Sequence, residues 1–282
     1  MTFGIRRLTE TVNYPLFTED MNFNSEGLLD ALLSQKDRGK AIVLLNFPNN
    51  PTGYTPGIKE GEAIVAAILR AAEEGINVVV VSDDAYFGLF FSRIQSRNRC
   101  SASWRICTRA CWRSRLTEPP RKNSSGASAS ASSPMLRRTR SCWQPWSKKT
   151  LGIIRATISS GAHPSQTFVL DALKAPEFAA QKEEKFQIMK GRANKVKALL
   201  DSGKYGDDVW TYYPFNSGYF MCLKLLTVPA EELRLHLIHT YGLGTIALGE
   251  SDLRIAFSCI EEDQLEDLFD LVYAGIRDLE KA

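Results

Sequence analysis

The chain has 282 residues, 44% hydrophobic and 24% charged, with 35 basic and 32 acidic side chains for a formal net charge of +3. That length and apolar content suit one or two domains with sizeable cores. No stretch has the uninterrupted apolar length of a membrane span, and the N-terminus has no charged-then-apolar leader, so the cytoplasm is the expected compartment.

The run Ala41-Ile42-Val43-Leu44-Leu45 reads as a strand and leads into Asn46-Phe47-Pro48-Asn49-Asn50-Pro51-Thr52-Gly53, a turn built from Asn, Pro and Gly. Thr55-Pro56 then offers a helix cap and a first-turn proline. Ile64, Ala67, Ile68 and Ala71 repeat at helical spacing, and Glu73-Glu74-Gly75 supplies a glycine stop. Val78-Val79-Val80-Val81 reads as a buried strand and ends in Ser82-Asp83-Asp84-Ala85-Tyr86. Strand, helix and strand at this spacing predict a right-handed parallel crossover, which brings the polar tips of both strands to one rim of a sheet. The fold class is α/β.

From Ser92 to Ser147 the composition changes. Eleven arginines and Lys122 face one acid, Glu118, and the rest of the chain has 23 basic against 31 acidic residues, a charge of −8. The basic balance therefore belongs to one segment. Trp104, Trp112, Trp143 and Trp146 among the arginines have the ingredients of a nucleic-acid arm, while the Ser/Ala/Gly run 124–133 reads as a flexible linker. Cys100, Cys107, Cys111 and Cys142 form no C-x-x-C pair and have no nearby histidine, so zinc is set aside and no metal site is assigned. The window is expected to be disordered.

Beyond it, Leu151 to Arg155 again looks structured. His163-Pro164-Ser165 precedes a helical run through Phe168, Leu170 and Leu173, with His163 read as a turn residue. A long charged helix is predicted from Glu177 to about Leu200. Another runs from Ala230 to Tyr241, where His236 and His239 are expected to be partly exposed. The last stretch, Glu261 to Leu279, places Leu265, Leu268, Phe269, Val272 and Ile276 on one face of a packing helix. Cys222 and Cys259 read as ordinary buried thiols. Arg254, inside the alternating strand Leu253 to Phe257, is costly to bury unless it meets an anion.

The NNPTG turn, the D-x-A-Y strand end that follows it and the later L-R-I-x-F strand together resemble the class I/II aminotransferases, fold-type I enzymes built on pyridoxal 5′-phosphate (PLP). The resemblance implies a partial, mostly parallel sheet flanked by helices over residues 1–175, including the aberrant window 92–147. It implies an interdomain helix and a smaller C-terminal α+β domain over 176–282. PLP acts as an electron sink through its protonated pyridine nitrogen. In the resembled family a carboxylate faces that nitrogen, which makes Asp83 the candidate, and Asn50 and Tyr86 would hydrogen-bond the ring's phenolic oxygen. Arg254 would grip the substrate α-carboxylate. Taken singly, Asp83 could be a cap or a solvated turn residue, Asn50 an ordinary turn residue, Tyr86 a core aromatic and Arg254 an edge-strand cation. The stretch Asn216 to Phe220 resembles a strand of the family's small domain. Thr11 to Phe17 resembles a strand inside its large domain, so the portion that supplies the phosphate-binding helix start and the ring-stacking aromatic is expected to be missing.

The family's Schiff-base lysine falls in the Arg/Trp window. Lys122, Lys148 and Lys149 are the nearest candidates, none within a matching motif, and no catalytic residue is assigned. Possible codons for Arg115 to Ser133, read one base earlier, give a string close to ADGATKEEFVWGFRVGF, which looks like the family's missing section. An out-of-frame middle segment is therefore expected. The implied activity is amino-group transfer between an amino acid and a 2-oxo acid, impaired by loss of the lysine, with weak or no PLP binding. A homodimer is the implied assembly, without a membrane partner. A PLP-dependent β-elimination lyase is the enzymatic alternative. The non-enzymatic alternatives are a non-catalytic remnant and, less favoured, a nucleic-acid-binding module using the Arg/Trp segment.

Overall fold

A computed structural model of the chain describes residues 10–91, 111–116 and 140–281. These divide into two compact units that interleave in sequence. The first holds 10–45, 56–82 and 111–114, and the second holds 46–55, 83–91, 115–116 and 140–281.

The first unit begins with α1 (Ser25–Leu33), whose amide-capped start has Asn24 Oδ1 accepting the Gly27 N–H at 2.8 Å. Strand β1 (Lys40–Asn46), helix α2 (Ile58–Glu73) and strand β2 (Asn77–Asp83) follow in the predicted order. The bond from Asn77 N–H to Gly39 O at 2.9 Å pairs the starts of β1 and β2, and the bond from Phe47 N–H to Asp83 O at 3.0 Å pairs their ends. The two strands therefore run parallel. β3 (Cys111–Leu116) completes a sheet of order β1-β2-β3. Leu28, Leu29 and Leu32 of α1 are buried with Ile64, Ala67, Ile68 and Ala71 of α2, Val43 and Leu45 of β1, and Val78 and Val80 of β2. The strands alternate where the sequence reads as a continuous apolar run. Ile42 and Leu44 are 68% and 41% exposed, and Val79 and Val81 are half-buried.

Helix α2 starts later than Thr55-Pro56 suggests. Its N-cap is Gly57, whose N–H donates to Glu60 Oε2 at 2.7 Å, while Glu60 Oε1 accepts the Phe23 N–H at 3.1 Å. Gly75, at φ +89°, ends the helix as expected. Thr11 to Phe17 is not a strand. The segment has no regular backbone pairing beyond a bridge from Phe17 to Phe23, closed by the Thr18–Asn22 turn, and Pro15 has no N–H to give a ladder.

In the second unit, α3 (Arg140–Thr157) takes in Leu151 to Arg155, and α4 (His163–Lys174) begins at His163, which is thus a first-turn residue followed by proline. Of the window 92–147, the described residues are Cys111–Leu116, in a strand, and those from Arg140 onward, in α3. The rest of that window, including Lys122 and the run 124–133, lies outside the described residues. The long α5 (Phe178–Asp201) buries Arg192, Ala193, Val196 and Leu199 in its second half.

Strands β4 (Trp210–Tyr212), β5 (Met221–Leu225), β6 (Ile246–Leu248) and β7 (Asp252–Ile255) form an antiparallel sheet of order β4-β5-β7-β6. Helices α6 (Ala230–Tyr241) and α7 (Leu265–Leu279) pack in the same core. Leu233 and Leu237 of α6, Leu223 and Leu253 of the sheet, and Leu265, Phe269, Val272 and Ile276 of α7 have no exposed surface. Gly275 permits close approach there, since a Cβ on it would lie 2.8 Å from Leu237 Cδ2. Two expectations fail in this unit. Asn216 to Phe220 is a turn leading into β5 rather than a strand, because Gly218 at φ +78° reverses the chain. Cys259 is exposed, because it sits in a short 3-10 turn after β7, while Cys222 is buried. Among the described residues no helix is long and apolar enough to cross a membrane.

Candidate active site

All four candidate site residues belong to the second unit, and polar turn chemistry arranges them. The turn after β1 is tied to itself by Gly53 N–H to Asn49 O at 2.9 Å and by Asn49 N–H to Tyr54 O at 2.8 Å. The Asn49 side chain also accepts the Thr52 hydroxyl at 2.8 Å. Gly53 is at φ +74°, and a Cβ there would lie 2.1 Å from Phe220 O, so the sequence needs glycine at this point. Gly53 O accepts from Asn216 N–H at 3.0 Å and from the Ser217 N–H and hydroxyl, both at 2.9 Å. Thr55 and Asn216 exchange two bonds. Thr55 N–H donates to Asn216 Oδ1 and Asn216 Nδ2 donates to Thr55 O, both at 2.9 Å. Thr55 is occupied here rather than capping α2.

Asp83 ends β2. Its Oδ2 accepts from Asn46 Nδ2 at 2.9 Å, and its Oδ1 lies 3.4 Å from the Ala85 N–H. Asn46 Oδ1 in turn accepts the Asn50 N–H at 2.8 Å. The Asn50 side chain is exposed, and its Oδ1 accepts from Arg254 Nη1 at 2.9 Å. The Arg254 guanidinium lies over the Phe220 ring, 4.4 Å from its centroid, an attractive arrangement for a cation on a π face. Tyr86 is buried and stands edge-on to Tyr219 at 5.5 Å and to Phe220 at 5.7 Å. Asp83, Asn46, Asn50, Arg254, Phe220 and Tyr86 thus form one connected path of contacts.

Among the described residues no carboxylate pairs with Arg254; the neutral Asn50 amide and the Phe220 ring meet its guanidinium. Its strand register sets it opposite Cys222 on β5 and Ile246 on β6. Burial pushes the Cys222 thiol up to about 12, with the Asp252 carboxylate adding to the rise and Arg254 opposing it. Cys222 is therefore a protonated, unreactive thiol near neutral pH. Burial, followed by the hydrogen bond it donates to Asp252 Oδ1 at 3.0 Å, raises the Tyr213 phenol well above its ordinary range.

Sequence reasoning missed Asn46 and the role of Phe220. The only signal for Asn46 is a polar residue closing an apolar strand at its carboxyl end, where open α/β sheets place their ligand-facing groups. An acid, an amide and a phenol are residue types that could hold the pyridine end of PLP, the acid at the ring nitrogen and the other two at the ring oxygen. Lys148 and Lys149 of α3 are exposed, and Lys122 lies outside the described residues.

The chain resembles an aminotransferase from Anaerococcus prevotii with TM-score 0.78 and 18% identity over 94% of this chain and 63% of that one. It also resembles the N-succinyldiaminopimelate aminotransferase from Mycobacterium tuberculosis, with TM-score 0.67 and 18% identity over 94% and 65%. A third similar structure is the α-aminoadipate aminotransferase from Thermus thermophilus, complexed with N-(5′-phosphopyridoxyl)-L-leucine, with TM-score 0.64 and 15% identity over 90% and 76%. The chain spans less than two thirds of the length of the first two. Comparison with curated protein sequences finds no match. The sequence profile of aminotransferase class I and II matches residues 2–272, nearly the whole chain, and the chain belongs to that family.

Proposed function

We propose that this chain carries the ring-and-carboxylate end of a PLP-dependent amino-group transfer site, moving an amino group between an amino acid and a 2-oxo acid. The observation that supports this reading is the continuous path from Asp83 through Asn46 and Asn50 to Arg254. PLP would supply the electron sink for loss of the α proton. Asp83 would hold the proton on the ring nitrogen, Asn50 and Tyr86 would hydrogen-bond the ring oxygen, and Arg254 would bind the amino acid's α-carboxylate. Asn50 takes one of the five N–H donors of Arg254, and two parallel donors suffice for a carboxylate.

Proton transfer needs an amine as general base, and in this reading Lys122, Lys148 and Lys149 do not provide it, so activity is low or nil. The division at 175/176, the out-of-frame middle segment, a cytoplasmic location and assembly as a homodimer belong to the same reading. The test is addition of PLP to the purified chain, borohydride reduction and peptide mapping, beside an assay of amino-group transfer. Reversible weak binding with no lysine modified is the expected result. A cofactor fixed on one of these three lysines would overturn the loss of the base, and no interaction with PLP at all would overturn the site.

A further inference from the structure

We infer that Asn46 is a positioning residue that sets the ring-facing acid and the amide-bearing turn with a single side chain. The inference rests on the proposed ring site. Asn46 is the last residue of β1 and Asp83 the last of β2, and the Phe47 N–H to Asp83 O bond holds the two strand ends side by side at 3.0 Å. Across that junction Asn46 Nδ2 donates to Asp83 Oδ2 at 2.9 Å, and Asn46 Oδ1 accepts the Asn50 N–H at 2.8 Å.

The two partners require the same orientation of the amide. An ionised carboxylate only accepts, so it must face the NH2 end, and a backbone N–H only donates, so it must face the oxygen. Asn46 Oδ1 is also 3.5 Å from Asn49 Nδ2, which favours that assignment. A neutral donor fixes the direction of Asp83 without bringing a cation that would compete with a pyridinium for its charge. The other bond fixes the start of the turn that presents Asn50 to Arg254. Leucine would fill the space and aspartate would match the shape, but neither offers both a donor and an acceptor.

The experiment combines amide hydrogen exchange by NMR on the free chain with titration of pyridoxamine 5′-phosphate, a ligand that needs no lysine. In Asn46→Ala the Asn50 N–H should exchange at least about ten-fold faster than in the wild type, the scale of one lost hydrogen bond. In Asn46→Asp the acceptor is kept, so exchange at Asn50 should stay within about three-fold of wild type. Pyridoxamine 5′-phosphate should bind about ten-fold more weakly to both variants, because in each Asp83 loses its donor and in the second a carboxylate opposes it. A merely structural role would leave the Asp variant, with its turn intact, binding like wild type, and that result overturns the inference. Unchanged Asn50 exchange in the Ala variant also overturns it. If the exchange pattern holds while the wild type ignores the ligand, the amide bridge stands and the cofactor reading of the site falls.

Discussion

The C-terminal sheet with α6 and α7 and the strand-end turns that carry Asn50 and Asp83 lie in one unit but are held by different forces. The first is a dry apolar core in which Leu233, Leu253, Phe269 and Val272 have no exposed surface. Its stability comes from non-directional burial and tight packing, so any side chain of the right size and polarity serves approximately. The second is a set of directional bonds, with Gly53 O accepting three donors, Thr55 and Asn216 exchanging two bonds, and Asn46 bridging two chain segments. There the identity of each atom matters more than its volume. The core tolerates conservative change, and the turns do not.

The largest effect tests the apolar side of this contrast. Phe269→Ala should cost about 4 kcal/mol in urea denaturation, the transfer loss plus the cavity left behind. Gly53→Ala tests the polar side. The added methyl meets Phe220 O and the positive φ penalises it as well, so a loss of about 3 kcal/mol is expected although no apolar area is removed. A cost below about 0.5 kcal/mol would mean the turn yields easily, and the contrast would fail.

A smaller effect comes from pH. The folded-state pKa of Cys222 is raised, so the folded chain holds a proton that the unfolded chain releases above its ordinary thiol pKa. Its contribution is complete below about pH 9 and declines as pH rises toward about 12. The loss should reach roughly 1 kcal/mol by pH 10, and Cys222→Ala should flatten that alkaline slope in pH-dependent denaturation. The smallest effect is the coupling of Asn50 to Arg254. A double-mutant cycle with alanine at each position should give about 0.5 to 1 kcal/mol, since the pair is partly exposed.

The same contrast explains what the sequence made legible. Apolar periodicity placed the α7 face of Leu265, Leu268, Phe269, Val272 and Ile276 residue for residue, and α6 spans the predicted Ala230–Tyr241. Burial averages over many contacts, so a pattern in composition is enough to find it. Turns depend on which partner arrives from far along the chain. Thr55 reads as a cap but bonds Asn216 and Ser217, and Asn216 to Phe220 reads as a strand but bends at Gly218. The motif residues Asn50, Asp83, Tyr86 and Arg254 stood out through the resemblance of their motifs to those of the class I/II aminotransferases. Asn46 did not, because its two bonds run to Asp83 and to the next turn, and nothing in the spacing marks either.

In the proposed site Asp83 would face a pyridinium nitrogen beside Asn50 and Arg254. The most direct measurement is the affinity of pyridoxamine 5′-phosphate for the wild type and for Asp83→Asn, which keeps the shape and removes the charge. The wild type should bind measurably and the variant at least about ten-fold more weakly, the scale of one charge-assisted hydrogen bond. Equal affinities in the two proteins would contradict that role of Asp83.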